Sequence, residues 1–442
     1  MWTVLVGRNG LCKTSLLRAI ALAASGRDLA NELSTEQRQS FQDLRHEGGK
    51  MEIRAKFGFG EIGAGLGREF PPLSADLSPD YLGVRLSLSP GARSLDGRSW
   101  YFSNNSSEAP NNSAKDTGKV LEMEPATGSP LEDVRQSSLP HWFVAGYGVQ
   151  RLLPGVATTK SPDDFVRVRL ETLFDAGTLI STDFADHLAK RFGAKEADGF
   201  AGLLHHALLG DDKLLPKLTA FELRGQGGVS STDRLINSHR FDVDTGPVAL
   251  RLPATWLSHG YQATVAWLAD LVGHVLWEAR AAGRNGTIQP TEMEGLVLID
   301  ELDLHLHPAW QVGLITALKR TLPRMQFVVT THSPMLLSGL EHDEIIVLDQ
   351  DPETGDIIKK TYEQSPKLQT SGGLLERYFG VDELDPTQLT AQFQRFGFLA
   401  NNPYRSDAED QEMLRLLDAL TEAGVAPEWA PVPRSSVPHE PQ

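Results

Sequence analysis

GRNGLCKT, residues 7–14, follows the apolar run Trp2–Val6 and opens a helical pattern over residues 13–24. A strand, a glycine turn and a helix in that order suit a phosphate-binding loop, because backbone N–H groups and the helix N-terminus then face the phosphate oxygens. On this reading Gly7, Arg8, Asn9, Gly10, Cys12, Lys13, Thr14 and Ser15 form the cradle. Lys13 reaches the β- and γ-phosphates, and the Thr14 hydroxyl binds Mg²⁺. The pattern departs from G-x-x-x-x-G-K-T at Cys12, which stands where the second glycine belongs. If that position takes a positive φ, cysteine costs on the order of 1–2 kcal/mol there and its side chain crowds the phosphates. A helix N-terminus beside Lys13 also favours the thiolate, although a plain substitution accounts for Cys12 more simply. Leu16, Leu17 and Ile20 are spaced to face a core.

Two other apolar runs carry chemistry at their ends. LVLIDE (296–301) sets Asp300 and Glu301 at the C-terminal end of a strand, where ligands bind in open α/β sheets. Asp300 can hold Mg²⁺ directly or through water, and Glu301 can polarise a water for in-line attack. FVVTTHSP (327–334) brings His332 to the end of another strand, where an imidazole can hydrogen-bond the γ-phosphate. Each run alone is common; joined to a phosphate loop they become specific. His305 and His307 at i, i+2 resemble a metal pair only superficially, since no further ligands cluster with them, and local loop structure explains them better.

Around these motifs, residues 51–57, 84–88, 100–102 and 120–123 read as short strands of an antiparallel sheet. Residues 104–118 form a polar, mobile loop between them, and 35–46 reads as a polar helix. Residues 141–149 look like a buried strand ending in a glycine turn. The periods turn helical from 163 to 218, and 221–224 and 248–252 are strand-like. An amphipathic helix carries Val265, Leu268, Val272 and Leu276 on one side. Runs 296–299 and 327–330 suit a parallel sheet covered on both faces, with helical patterns between and after them.

The chain has 442 residues, 40% of them hydrophobic and 23% charged, enough for a well-buried core. A formal net charge of −16 argues against nucleic-acid binding by bulk charge and leaves a local basic patch open. The longest apolar helical run, 265–277, contains Asp270 and His274 and is too short to span a bilayer. No basic n-region precedes the first apolar residues, which speaks against a secretory signal. A single cysteine rules out an intrachain disulfide framework and fits the cytoplasm.

LSHGYQ (257–262), followed by a helical pattern, resembles the L-S-G-G-Q signature of ABC-type ATPase heads. IDELDLHLHPAWQ (299–311) and VVTTHSP (328–334) are similar to the Walker B/D-loop and switch-histidine segments of those heads, and FVAGYGVQR (143–151) to their Q-loop segment. The combination resembles the heads of SMC proteins, overcoming-lysogenization-defect nucleases and stand-alone defence ATPases. It is most similar to the AAA-family ATP-binding subgroup that includes the ATPase of Septu-like antiphage systems. The motifs cover roughly a fifth of the chain, but their order is specific.

The resemblance implies an α/β fold: a P-loop NTPase of ABC type with a mainly parallel core sheet, an antiparallel β subdomain and an inserted helical subdomain. It implies that two heads sandwich two ATP molecules, the phosphate loop of one facing Ser258 and Gly260 of the other, with Asp303 at the dimer contact. Gln150 is the implied Q-loop glutamine, touching nucleotide and metal. Ser258 also reads as an ordinary N-cap before its helix. The long gap from Lys13 to Ser258 disfavours a transporter subunit. Neither a long heptad arm nor a glutamate followed by Asp-x-Asp argues for a coiled-coil SMC protein or a built-in nuclease. The resemblance implies two strands ahead of the phosphate-loop strand, and here only Met1 to Val6 precede Gly7, so either the start is misassigned or the chain is truncated and missing the strands that help hold the adenine.

The expected organisation is then a phosphate-loop strand and helix at 1–26, an antiparallel subdomain with the Q-loop at 50–150 and a helical insertion at 163–218. The signature, Walker B and switch-histidine part follows at 219–350, then a helical extension at 351–426 and a disordered tail at 427–442. The expected function is an Mg²⁺-dependent ATPase in which Lys13, Glu301 and His332 act on the phosphates. It works as a homodimer or higher oligomer and switches a separately encoded effector, a nuclease in antiphage defence, with nucleic acid a further candidate partner and no membrane. The rivals are a nucleotide-gated scaffold with little hydrolysis, which Cys12 favours, and a DNA-repair ATPase that clamps DNA.

Overall fold

Trp2–Val6 (β1) is apolar along its length, as a strand covered on both faces must be, and in the computed structural model Trp2, Val4, Leu5 and Val6 are buried. The structure describes residues 1–35, 50–58, 81–102, 131, 143–151, 153, 160–161, 164–177, 179–210, 214–223, 239–246, 249–369, 371–380, 388–422 and 431–433. The helix expected at 35–46 (but for Thr35), the loop at 104–118, the strand at 120–123 and most of the tail lie outside them.

Helix α1 (Lys13–Leu33) runs well past the expected residue 24, with Gly26 at φ 74° between two helical pieces. Its Leu17, Ala21 and Ala24 pack against Leu82, Val84 and Leu86 of an antiparallel meander, β2 (Met51–Gly58), β3 (Tyr81–Leu88) and β4 (Asp96–Phe102). Leu16 is a correction: it lies on the outer side of α1, 38% exposed, and only Leu17 and Ile20 reach the core.

After β5 (Val144–Tyr147) come α2 (Phe165–Phe174), α3 (Phe184–Phe192) and α4 (Ala194–Leu209). A second antiparallel sheet follows, β6 (Leu218–Glu222), β7 (Arg240–Asp244) and β8 (Ala249–Pro253). Strand β7, RFDVD, was not expected, because charged residues alternate with its two apolar ones. His239 at its start is buried, with Nε2 2.9 Å from Thr182 Oγ1. Burial, then the nearby Arg240, pushes the His239 pKa down to about 4. An unfolded histidine titrates near 6.5, so between those values the unfolded chain binds more protons. Stability is therefore fully present above about pH 6.5 and falls as pH drops toward 4, by up to about 3 kcal/mol from this group. Denaturant midpoints of the wild type and of His239→Gln over that window check this: the variant should lose that part of the slope, and an unchanged slope rules His239 out as its source.

Strand β8 leads into α5 (His259–Ala281), in which every residue from Gly260 to Ala279 is buried. A one-sided amphipathic helix was expected; α5 is covered all round, and Asp270 and Glu278 find their partners inside the protein. Glu278 meets Arg169 of α2 in a buried ion pair, and Asp270 accepts the Ile180 and Ser181 amides, each at 2.9 Å.

The chain then forms β9 (Gly295–Ile299), α6 (Pro308–Thr321), β10 (Met325–Thr330), β11 (Ile345–Gln350) and β12 (Ile357–Lys360). The core sheet runs β12-β11-β1-β10-β9-β5, parallel except for β12. This is the mainly parallel core with antiparallel and helical parts expected from the sequence. Its five parallel strands bring the residues after Val6, Tyr147, Ile299 and Thr330 to one edge. The expected helical stretch from 351 begins instead with β12, a hairpin partner of β11. Its turn is closed by Asp351 Oδ1, which accepts the Glu353 and Thr354 amides at 2.8 and 3.0 Å.

The chain divides into two compact units, Met1–Leu374 and Leu375–Gln442. Helix α7 (Ser371–Phe379) crosses that division. In the second unit, α8 (Gln388–Ala400) and α9 (Asp407–Glu422) pack through Phe396, Leu399, Met413 and Leu420. Among the described residues no helix is long and apolar enough to cross a membrane.

Candidate nucleotide-binding site

The loop between β1 and α1 is shaped by two positive-φ glycines, Gly7 at 147° and Gly10 at 83°. A Cβ on Gly7 would stand 2.5 Å from the Leu348 carbonyl oxygen of β11, so the close approach of two backbones also requires glycine there. Cys12 has φ 56° and ψ 23°, the left-handed region, at the N-cap of α1. The missing glycine therefore carries the strain that the sequence raised, about 1–2 kcal/mol. The Cys12 side chain is exposed beside the loop. No acidic side chain occupies the first turn of α1, so its positive end is left for an anion.

Lys13 is 7% exposed, and its Nζ donates to the carbonyls of Gly7 at 2.8 Å and Arg8 at 3.0 Å. Burial lowers its pKa, while the charges of Asp300 and Glu301 raise it. Arg8, Asn9, Gly10 and Ser15 are exposed around it.

The Thr14 hydroxyl donates to Asp300 Oδ2 at 2.8 Å, joining the end of β1 to the end of β9. Thr330, the last residue of the intervening β10, donates to Asp300 Oδ1 at 2.6 Å and accepts the Glu301 amide at 2.7 Å. Glu301 itself has φ 48°, a left-handed conformation that costs a non-glycine residue about 1–2 kcal/mol. Arg151, after β5, is 2% exposed and donates to the carbonyls of Gly148, Asp300 and Glu301. Burial pushes its pKa down to about 10 against the pull of Asp300, Asp303 and Glu301.

Neighbouring contacts fix the surrounding loops. Asp303 accepts the Thr331 hydroxyl at 2.6 Å, and Gln311 accepts Ser333 Oγ at 2.5 Å. His332 is exposed between buried Thr331 and Ser333. Gln150 is exposed just beyond β5. Ser258 is the N-cap residue of α5, but its side chain makes no capping bond. Gly260 is pressed against the 303–307 loop: a Cβ there would stand 2.4 Å from the His305 carbonyl oxygen. Lys13, Thr14, Asp300 and Glu301 thus converge, whereas Ser258 and Gly260 lie against the loop that carries Asp303.

His307 Nδ1 accepts the Ala309 amide at 3.2 Å and caps α6, and the His305 ring stands 5.6 Å from that of His259. Among the described residues no group of three or more His, Cys, Asp or Glu side chains is placed to hold a metal ion. Thr14 Oγ1 and Asp300 Oδ2 are two hard oxygens side by side, the donor set that Mg²⁺ takes when phosphates and water complete its shell. Thr330 and Arg151 are the residues that sequence reasoning passed over. The threonine pair closing FVVTTHSP was the available signal for Thr330; Arg151 grips main-chain carbonyls, which leave no mark in a sequence.

A phosphate loop after one parallel strand, with acids after another and a third strand between them, defines a P-loop ATPase core. The chain belongs to the family described as "AAA domain, putative AbiEii toxin, Type IV TA system", whose model matches residues 86–338, more than half of the chain. It is similar to the Septu protein PtuA of Bacillus mycoides (strain KBAB4), 33% identical over 165 residues, which are 37% of this chain and 22% of that protein. A Septu protein PtuA of Bacillus thuringiensis is 32% identical over 34% of this chain and 37% of its own length. A retron Ec83 probable ATPase of Escherichia coli is 37% identical over 21% of this chain and 16% of its own length. The matches therefore span well under half of these relatives. Among solved structures, an SMC head bound to the C-terminal winged-helix domain of ScpA aligns over 82% of this chain and 91% of that one, at 17% identity and a TM-score of 0.43.

Proposed function

We propose that the chain is an ATPase that holds Mg²⁺-ATP on residues 7–15, closes as a dimer around it and uses hydrolysis to switch a separately encoded effector in antiphage defence. The observation that carries this reading is the Thr14–Asp300 hydrogen bond with Glu301 beside it, which joins phosphate loop and acids at one sheet edge. Bound Mg²⁺ would neutralise phosphate charge between Thr14 and Asp300, with Gln150 near the same edge. Lys13 moves from the Gly7 and Arg8 carbonyls to the β- and γ-phosphates. Glu301 orients and deprotonates the attacking water, and His332 hydrogen-bonds the γ-phosphate.

The uncapped Ser258, Gly260 and the positive end of α5 face the partner's γ-phosphate in the dimer, with Asp303 at the contact. Similarity to Septu and retron proteins supports the defence setting. Cys12, left-handed and exposed at the loop, favours a second reading, a nucleotide-gated scaffold that hydrolyses little.

ATP binding and Mg²⁺-dependent turnover, measured beside Cys12→Gly, test both. The left-handed strain is already present in the free loop, so glycine should return it as about 1 kcal/mol of folding stability, and nucleotide affinity should rise only as far as the Cys12 side chain crowds the phosphates. Turnover by the unmodified chain supports the ATPase. Binding without turnover in either form supports the scaffold, and no binding in either form sinks both.

A further inference from the structure

The parallel ladder between β5 and β9 ends where the Asp300 amide donates to the Tyr147 carbonyl at 2.8 Å. Beyond that point both strands turn away, and the carbonyls of Gly148, Asp300 and Glu301 come together with no strand to pair them. Arg151 supplies donors to all three, and the Glu301 carbonyl also accepts the Leu304 N–H at 3.0 Å. Its Nη1 bridges Gly148 and Asp300, each at 2.7 Å, and its Nη2 reaches Glu301 at 2.5 Å. The side chain is 2% exposed, so a full charge has been taken out of water to serve three main-chain oxygens. A planar fork can hold three carbonyls at fixed angles; an ammonium cannot.

One of those carbonyls belongs to the residue that most needs holding. The Glu301 backbone is left-handed at φ 48°, a conformation that persists only where the surroundings over-determine it. Thr330 of β10 fixes its amide side: Oγ1 accepts the Glu301 N–H at 2.7 Å, and the Thr330 carbonyl accepts the Leu302 N–H at 3.0 Å. Arg151 and the Leu304 N–H together fix its carbonyl side, and of the two only Arg151 reaches across to the Gly148 turn. The direction in which the Glu301 side chain leaves the backbone is thus set from both flanking strands.

We infer that Arg151 is a positioning residue for ATP hydrolysis: its guanidinium holds the Glu301 peptide in the left-handed turn that aims the carboxylate, and ties that aim to the Gly148–Gln150 turn. The inference rests on the ATPase reading above. Because one guanidinium binds both Gly148 and Glu301, a shift of the turn that carries Gln150 moves the catalytic acid with it, so the base is aligned only when that turn is seated.

The test uses the full chain, four single variants, Arg151→Lys, Arg151→Met, Arg151→Ala and Glu301→Gln, and the double variant of Arg151→Met with Glu301→Gln, with kcat from steady-state turnover and Kd from equilibrium ATP binding. The expected result is a fall in kcat of about 100-fold in the Arg151 variants with ATP affinity within about 3-fold of wild type, since a displacement of about 1 Å of a reacting group costs that much. Arg151→Lys should be no better than Arg151→Met. Millimolar methylguanidinium should restore part of kcat to Arg151→Ala, while methylammonium should not. Adding Arg151→Met to Glu301→Gln should cost nothing further, because both act on one step.

Wild-type turnover that Glu301→Gln abolishes, with kcat unchanged in Arg151→Met and Arg151→Lys, overturns the inference and leaves the ATPase reading standing. Loss of ATP affinity alongside kcat, without guanidinium rescue, also overturns it, since Arg151 would then be structural. A wild-type chain that turns over no ATP overturns both.

Discussion

Glu301→Gln is expected to keep ATP binding and to lower Mg²⁺-dependent turnover by about 100- to 10,000-fold, the range of a lost general base. The substitution is nearly isosteric, so the left-handed turn and its bonds to Thr330 and Arg151 stay in place. What disappears is the ability to accept a proton from water. With ATP bound and not consumed, the dimer should accumulate, visible as an ATP-dependent rise in mass by light scattering. Turnover and light scattering on the same preparations check this. If turnover stays within a few-fold of wild type, Glu301 is not the base. If the wild type has no turnover to lose, the scaffold reading gains.

Asp270→Ala is expected to cost about 4 kcal/mol of unfolding free energy, taking about 1–3 kcal/mol for each buried donor left without a partner. Asp270 is fully buried in the middle of α5. Its Oδ1 accepts the Ile180 and Ser181 amides, its Oδ2 accepts the Tyr147 hydroxyl at 3.2 Å, and His274 Nε2 stands 3.4 Å from Oδ2. The two successive amides point the same way because Ile180 lies in the right-handed helical region, at φ −72° and ψ −47°. Burial, followed by the Asp270 charge, drives the Tyr147 pKa well above the usual range, so Tyr147 remains a donor. Asp270→Asn retains an acceptor oxygen and should lose about half as much. Urea midpoints at constant slope measure both, and a loss below about 1 kcal/mol for the alanine variant would show that water or a rearranged loop replaces the carboxylate. Asp270 also joins α5, whose N-cap is Ser258, to β5, which ends at Tyr147 three residues before Gln150, so a milder variant should be checked for turnover as well as stability.

The core fold was legible because its chemistry sits at the ends of short apolar runs. Val6 before Gly7, Ile299 before Asp300 and Thr330 before the histidine are adjacent in sequence to the residues that matter, so the run marks the strand and its end marks the edge. Residues whose partners come from distant backbone were not legible in the same way. Asp270, His274 and Glu278 read as the wet side of an amphipathic helix, yet Asp270 satisfies two amides ninety positions away and Glu278 an arginine on another helix. Arg151 reads as a charge ending a turn, and its three carbonyl partners have no side-chain signature. Leu16 fitted the helical period and still faces outward, because the first turn of α1 stands at the sheet edge rather than over the core. Strand β12 was hidden by its length of four residues, with only two isoleucines to mark it.

The placing of β1 between β10 and β11 has a consequence during synthesis. The Met1 amine bonds the Met325 carbonyl, 324 positions further along, and the other neighbour of β1 is made later still. At about 5–20 residues per second, a ribosome that has made β1 needs on the order of 20–60 s more to make both of its flanks. Throughout that interval Trp2–Val6 is an apolar segment without a sheet, in need of shielding from its own kind. A nascent chain stopped before residue 325 already contains GRNGLCKT in full but lacks β10 and β11, the two strands between which β1 is held.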